Sequence, residues 1–94
     1  MKTINERFED VNGEYGEFDN IKNKRSNRPD IHALLLLDEL FPGDSDLISS
    51  SEHDEFYLDI SYESIEKLTD DQILELTRCG VMYNDESECL SMFA

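Results

Sequence analysis

The chain has 94 residues, a formal net charge of −15 and a hydrophobic content of 38%. This length suits one small domain, and the apolar content is sufficient for a core, so a fully disordered chain is excluded. The negative charge argues against direct binding to nucleic acid or to an anionic membrane, since both attract Lys and Arg side chains. No apolar run approaches the ~20 residues that a membrane-spanning helix needs.

The acidic side chains are distributed unevenly along the chain. Residues 1–28 contain six acidic and six basic side chains, whereas residues 29–94 contain seventeen acidic side chains and two basic ones, Lys67 and Arg78. We therefore predict a charge-neutral N-terminal helix and flexible arm over 1–28 and an acidic α+β domain over 29–94. The simplest alternative is that the acids only aid solubility, but so complete an asymmetry costs stability through self-repulsion.

The first predicted element is a short helix over residues 4–11. Thr3 and Glu6 have the spacing of a capping box, and Ile4, Phe8 and Val11 follow at helical spacing. Residues 12–28 contain two glycines, four asparagines and a basic cluster at 22–25, so we predict an irregular arm. Its aromatic residues are available to dock on the domain, and its basic cluster is available to pair with the acidic body.

A leucine-rich helix is predicted over residues 30–41. Pro29 suits its first turn, with Asn27 as a candidate cap, and Pro42 followed by Gly43 ends it. The run at 33–37 is apolar on nearly every side, which is typical of a helix that is central in a core or shared with a partner. Residues 42–54 are predicted to form a polar loop.

The C-terminal half combines one strand, two short helices and a hairpin. Apolar and polar residues alternate over 55–60, which predicts a strand. Ser61 is a candidate cap for a helix through residue 68, and Thr69 with Gln72 forms a second capping box. Gly80 closes that helix, and two strands follow around a two-residue turn. The fold class is therefore α+β: a three-stranded antiparallel sheet covered by about four short helices.

The register of the final hairpin follows from the length of its turn. A turn at Asp85-Glu86 places Tyr83 opposite Glu88 and Val81 opposite Leu90. In that register a disulfide between the two cysteines is disfavoured. Two cysteines without close spacing, together with an N-terminus that lacks an apolar signal segment, favour a reduced cytoplasmic setting.

Residues that would support catalysis or metal binding are not clearly grouped. Carboxylate pairs are frequent by chance in so acidic a chain, and none is singled out as a general acid or base. Asp44, Asp46 and Glu55 match three positions of a calcium loop, but Ile48 and Ser49 occupy positions that need a ligand and a glycine. We interpret His53 as a loop residue bonded to its acidic neighbours. We expect no enzyme activity, no cofactor and no metal site.

The acidic residues of the C-terminal half are the strongest candidates for a binding surface. On a helix, acidic side chains at positions i and i+4 lie ~6 Å apart, which is comparable to the spacing of phosphates along a nucleic-acid strand. Asp71 and Glu75 have this spacing. Asp59 and Glu63 also have it if their helix starts early. Such a surface can occupy a groove lined by Lys and Arg that otherwise binds DNA or RNA. The predicted partner-binding residues are Asp54, Glu55, Asp59, Glu63, Glu66, Asp70, Asp71, Glu75, Asp85 and Glu86.

The segments HDEFYLDI, LTDDQILELTRCGVMY and CLSMFA resemble small phage- and prophage-encoded accessory proteins of unassigned function. By size and acidity, the chain also resembles phage inhibitors that mimic DNA, including anti-restriction and anti-CRISPR proteins. These resemblances imply a bacterial cytoplasm as the location and a host defence or nucleic-acid-handling protein as the target.

Two functional hypotheses follow. The first is a non-enzymatic, phage-type inhibitor whose acidic surface binds the basic nucleic-acid-binding site of a host protein. The alternative is an adaptor or self-associating module that uses the leucine-rich helix over 30–41, in which case a homodimer is one outcome.

Overall fold

A computed structural model describes residues 2–52 and 54–93. The chain folds into a helical layer packed on one four-stranded antiparallel sheet, which confirms the α+β class. None of the helices in the described ranges has the length and apolar character needed to cross a membrane. The helices are α1 (Ile4–Asp10), α2 (Pro29–Leu40), α3 (Tyr62–Glu66) and α4 (Asp70–Arg78), and the strands are β1 (Ile48–Glu52), β2 (Glu55–Leu58), β3 (Val81–Asn84) and β4 (Cys89–Phe93).

Both predicted capping boxes are present. The Thr3 hydroxyl accepts from the Glu6 backbone N–H, and the Glu6 carboxylate accepts from the Thr3 N–H. Thr69 and Gln72 make the same reciprocal pair at the start of α4. Each pair satisfies backbone donors that have no partner within the helix, which fixes where these helices begin.

The start of α2 differs from the prediction. Pro29 does occupy the first turn, but the residue at the cap position is Arg28 and no side chain caps the helix. Asn27 is therefore not the cap. The proline, with its preset φ angle and missing N–H, is compatible with the first turn without a cap side chain.

The sheet contains one strand more than the three predicted. The strand order is β1-β2-β4-β3, and β1 lies within the stretch 42–54 that was predicted to be a loop. Its sequence, ISSSE, lacks the apolar alternation that marks a strand. It forms because a tight turn, with Asp54 at a φ of 65°, folds it back on β2. The strand is therefore specified by its partner, not by its own side chains.

The predicted register of the second hairpin is wrong by two residues. Tyr83 pairs with Leu90 and Val81 pairs with Met92. The connection is a four-residue turn over 85–88, and the Asn84 side-chain oxygen accepts from the Ser87 N–H at 3.1 Å. This Asx-type bond stabilises the longer turn.

One hydrophobic core joins the helices to the sheet. The strands contribute Leu58, Val81, Leu90 and Met92, and the helices contribute Ile4, Phe8, Ala33, Leu36, Leu37, Ile65, Ile73 and Leu76. All of these side chains are buried. Because side chains alternate along a strand, the core covers one face of the sheet, and Tyr57, Met82 and Ser91 lie on the opposite face.

The stretch 12–28 is irregular but ordered against the body. It contains two 3₁₀ turns, Asn12–Glu14 and Phe18–Asn20. Ile21 is buried in the core, and the Gly16 N–H donates to the carbonyl of Thr77 at 3.1 Å. These contacts place the arm beside the C-terminal end of α4.

Gly80 supplies a testable feature of the fold. It has a φ of +91°, whereas Gly43 has no such strain and open space around its α-carbon. We expect Gly80→Ala to lower the free energy of unfolding by about 1–2 kcal/mol, because an L side chain is strained in this backbone region. Gly43→Ala is the matched control and should have little effect. Urea denaturation measures both, and equal effects would contradict the structure.

Candidate interaction surface

The face of the sheet opposite the hydrophobic core is a second surface of the fold, and we call it the open face. Strand pairing places Tyr57, Ser91 and Met82 in one row across β2, β4 and β3. Phe93 is 58% exposed at one end, and Ser91, at the centre, is buried beneath its neighbours. The open face consists of Ser50, Glu55, Tyr57, Met82, Asn84, Cys89, Ser91 and Phe93.

Carboxylates surround the open face, and we call them the acidic rim. One groove of about 350 Å³ brings Glu55 from β2 together with Asp85 and Glu86 from the β3–β4 turn. A second groove of about 520 Å³ brings Asp59 together with Glu88. The rim thus gathers residues from both ends of β2 and from the hairpin turn. Its members are Glu55, Asp59, Asp85, Glu86 and Glu88.

No member of the acidic rim forms an ion pair with any side chain in the described ranges 2–52 and 54–93. Unpaired carboxylates on neighbouring loops add their fields over the surface between them. The open face is therefore a region of negative potential with Met82 and Phe93 as apolar contacts.

The other predicted acids lie elsewhere. Asp54 is exposed in the β1–β2 turn, while Glu63, Glu66, Asp70, Asp71 and Glu75 belong to α3 and α4 in the helical layer. Because α3 begins at Tyr62, Asp59 and Glu63 do not share a helix at i and i+4. The structure therefore divides the ten predicted residues between the acidic rim, the β1–β2 turn and the helical layer.

Two acids of the helical layer already have internal partners. Asp70 accepts from the Arg7 guanidinium at 2.8 Å, and the same guanidinium donates to the carbonyl of Leu68 at 2.7 Å. Glu75 lies 2.8 Å from Nε2 of the fully buried His32. Glu66 and Asp70 line a groove with Lys2 and Arg7, in which Lys2 pairs with Asp10 and Arg7 pairs with Asp70.

The imidazole of His32 has a defined tautomer. Its Nδ1 accepts from the backbone N–H of Arg25 at 2.9 Å. Since a backbone N–H can only donate, Nδ1 carries no proton, and Nε2 donates to the Glu75 carboxylate. Glu75 thus serves a structural bond within the fold.

Both cysteines are free thiols. Burial, and secondarily the charge of Glu75, raises the pKa of Cys79 to about 12. Burial and the nearby charge of Glu55 also raise the pKa of Cys89. A thiol with a raised pKa is largely protonated at neutral pH, so neither cysteine has the properties of an activated nucleophile.

Within residues 2–52 and 54–93, no group of three or more His, Cys, Asp or Glu side chains is placed to hold a metal ion. Much of the calcium-loop candidate is strand, because β1 begins at Ile48 and β2 begins at Glu55. The interpretation of His53 as a loop residue bonded to its neighbours falls outside the described residues.

The sequence interpretation did not identify the non-acidic part of this surface. The signal was present in the segment CLSMF, where Leu90 and Met92 alternate with Cys89, Ser91 and Phe93. With the correct register, that alternation assigns Cys89, Ser91 and Phe93 to the open face. Comparison with protein-family models, curated proteins and solved structures finds no match for the chain.

The raised pKa values predict the reactivity of the two thiols. At pH 8 we expect iodoacetamide to alkylate Cys89 faster than Cys79, because Cys89 is half-buried whereas Cys79 is buried and requires a pH near 12 to ionise. Mass spectrometry of the native protein measures both rates, and the urea-unfolded protein is the control in which the difference should vanish. Equal native rates would contradict this burial pattern.

Proposed function

We propose that the protein is a non-enzymatic, phage-type inhibitor that acts in a bacterial cytoplasm. Its acidic rim binds the basic nucleic-acid-binding surface of a host defence protein, of the kind targeted by anti-restriction and anti-CRISPR proteins. The single observation that carries the proposal is the set of five carboxylates around the open face, none of which forms an ion pair with a side chain in the described ranges. The partner is a basic protein, and the mode is DNA mimicry without direct contact to nucleic acid.

Physical chemistry supports such a role for the acidic rim. A basic groove is built to neutralise phosphates, and carboxylates at the rim present the same sign of charge to it. The encounter is accelerated by long-range attraction and is weakened by salt. The apolar side chains of Met82 and Phe93 add contact area that phosphates alone do not offer.

A rim variant tests the proposal. The variant carries three substitutions, Glu55→Lys, Asp85→Lys and Glu86→Lys. It should weaken capture of the partner from bacterial lysate by about tenfold or more, because attraction between opposite charges across the interface becomes repulsion between like charges. Pull-down followed by quantitative mass spectrometry measures the loss. The captured protein should bind DNA or RNA, and the inhibitor should compete with that nucleic acid.

The matched control changes the same charge on the helical layer. The control variant carries Glu63→Lys, Glu66→Lys and Asp71→Lys. Its net charge changes by the same amount as that of the rim variant, but the acidic rim is intact, so capture of the partner should remain largely unchanged. Glu75 is excluded from this control because it holds His32. Equal losses in the two variants, or binding that persists in high salt, would overturn the assignment to the rim.

The second candidate function is an adaptor that binds a partner through α2. Ile31 and Leu35 lie one helical turn apart on α2 and are 40% and 46% exposed, whereas His32, Ala33, Leu36 and Leu37 of the same helix are buried. Leu36 faces inward and is buried, so Leu36→Glu tests folding and not association. The informative substitutions are at Ile31 and Leu35.

The self-associating version of this candidate makes a separate prediction. Two copies with a net charge of −15 repel each other, so we expect a monomer by sedimentation equilibrium at both low and high salt. A dimer that strengthens with salt and is lost in Leu35→Glu would contradict this and would establish self-association. A monomer leaves the adaptor version, with a separate partner, as the second candidate.

A further inference from the structure

The outer side of β1 is an unpaired strand edge. β1 is the terminal strand of the sheet, and its partner on the inner side is β2. Among the residues that the structure describes, no other segment forms a backbone hydrogen bond with β1. Protein edges are commonly protected by lysine, proline, a bulge or a covering segment. The sequence of Ile48–Glu52 contains no lysine or proline, and its register shifts between Ile48 and Ser50, so the regular part of the edge is residues 50–52. The peptide groups of this part that point away from β2 are available to another strand.

An apolar groove lies directly beside this edge. It has a volume of about 550 Å³ and is lined by Leu34 and Leu35 of α2 and by Leu47 and Ile48 at the start of β1. Ile48 is 40% exposed, and Leu35 is 46% exposed. Contiguous aliphatic surface of this kind is favourable to bury, and it typically marks a site of protein contact.

The edge and the groove are arranged so that one strand can use both. Ile48 pairs with Leu58, whose side chain lies in the core, so Ile48 is on the helical side of the sheet. Side chains of an added strand alternate between the two sides of the sheet. A side chain of that strand on the helical side at the level of Ile48 would therefore lie over the groove, while its neighbour would extend towards the open side beside Ser50.

The charges around the groove specify a basic occupant. Asp38 and Asp46 line it, and no basic side chain does. A second copy of this chain is a poor occupant, because it carries a net charge of −15 and its own β1 strand contains Glu52 and no Lys or Arg. Like charges placed opposite each other are unfavourable in sheets.

We propose that β1 and the adjacent groove form a β-augmentation site for an extended basic segment of another protein. Backbone hydrogen bonds to β1 supply affinity, an aliphatic side chain fills the groove beside Leu35, and Lys or Arg side chains pair with Asp38 and Asp46. The inference rests on the second candidate function, docking at α2, and names its partner and binding mode.

A peptide of alternating lysine and valine is the probe. We expect the full-length protein to bind it, and we expect those amides of residues 49–51 that point away from β2 to become protected from hydrogen exchange. The control is the same peptide with methyl groups on the alternate backbone nitrogens that would face β1. This peptide keeps its charge and apolar surface but cannot donate those hydrogen bonds, so it should not protect the β1 amides. Isothermal titration and NMR measure affinity and protection.

Matched substitutions on α2 separate edge pairing from simple docking on the helix. Leu35→Glu should weaken peptide binding about tenfold, because it removes the groove wall. Ile31→Glu introduces the same charge at an equally exposed position that does not line the groove, and should have little effect. Both side chains are exposed, so circular dichroism should confirm an unchanged fold.

Each outcome bears directly on the inference. Failure of the peptide to bind, or equal binding by its methylated form, would overturn strand addition. If Ile31→Glu and Leu35→Glu weaken peptide binding equally, the partner docks on the exposed face of α2. That result would overturn strand addition at β1 but support the second candidate function. If neither substitution weakens peptide binding, strand addition and the second candidate function are both overturned.

Discussion

The buried imidazole of His32 is the interaction on which the arrangement of the helices depends. It joins three segments, because it lies on α2, accepts from the backbone of Arg25 in the arm and donates to Glu75 on α4. A buried polar group without partners is costly, and here both ring nitrogens are satisfied. The bond therefore favours one rotation of α2 about its axis over all others.

That rotation decides which apolar side chains reach solvent. His32 and Leu36 lie one turn apart on the buried stripe of α2, and Ile31 and Leu35 lie one turn apart on the exposed stripe. A helix that is apolar on nearly every side could expose several different leucines. Because His32 must face α4, the exposed pair is fixed, and Leu35 is placed at the groove beside β1.

The charge asymmetry of the sequence becomes an asymmetry in space. Several basic side chains are used within the fold: Arg7 pairs with Asp70, Arg25 pairs with Glu39, and Arg78 pairs with Glu14. All three pairs involve a helix or the arm. Exposed pairs contribute little stability, but they offset charge where they form. The acids of the acidic rim form no such pair with the described residues, and neither do Glu63, Glu66 and Asp71 of the helical layer. The basic side chains therefore offset charge beside the arm, α2 and α4 and leave the charge around the open face uncompensated.

The sequence predicted the structure well where bonds between neighbouring residues determine it. It predicted the structure less well where pairing between strands determines it. Thr3 and Thr69 each signal a helix start through bonds made within four residues, and both predictions are confirmed. β1 was missed because three serines become a strand only when β2 lies beside them. The hairpin register was wrong because Asn84 stabilises a longer turn than expected. Four of the five acids of the rim were among the predicted partner-binding residues, and Glu88 was not. Their separation from the acids of the helical layer depends on the sheet register and on which elements carry them.

The open face and the β1 edge both suit a basic partner protein. The first would attract it through long-range electrostatics, and the second would bind it through short-range contacts. Charges on the acidic rim act over about 10 Å at moderate ionic strength, so they raise the rate of encounter with a basic protein. The groove beside Leu35 acts at contact distance, where burial of apolar surface slows dissociation. β1 borders both surfaces, since Ser50 lies on the open side and Ile48 on the helical side. In the proposed mode of binding, a basic partner attracted by the rim would therefore reach a sheet edge that lies beside an apolar groove.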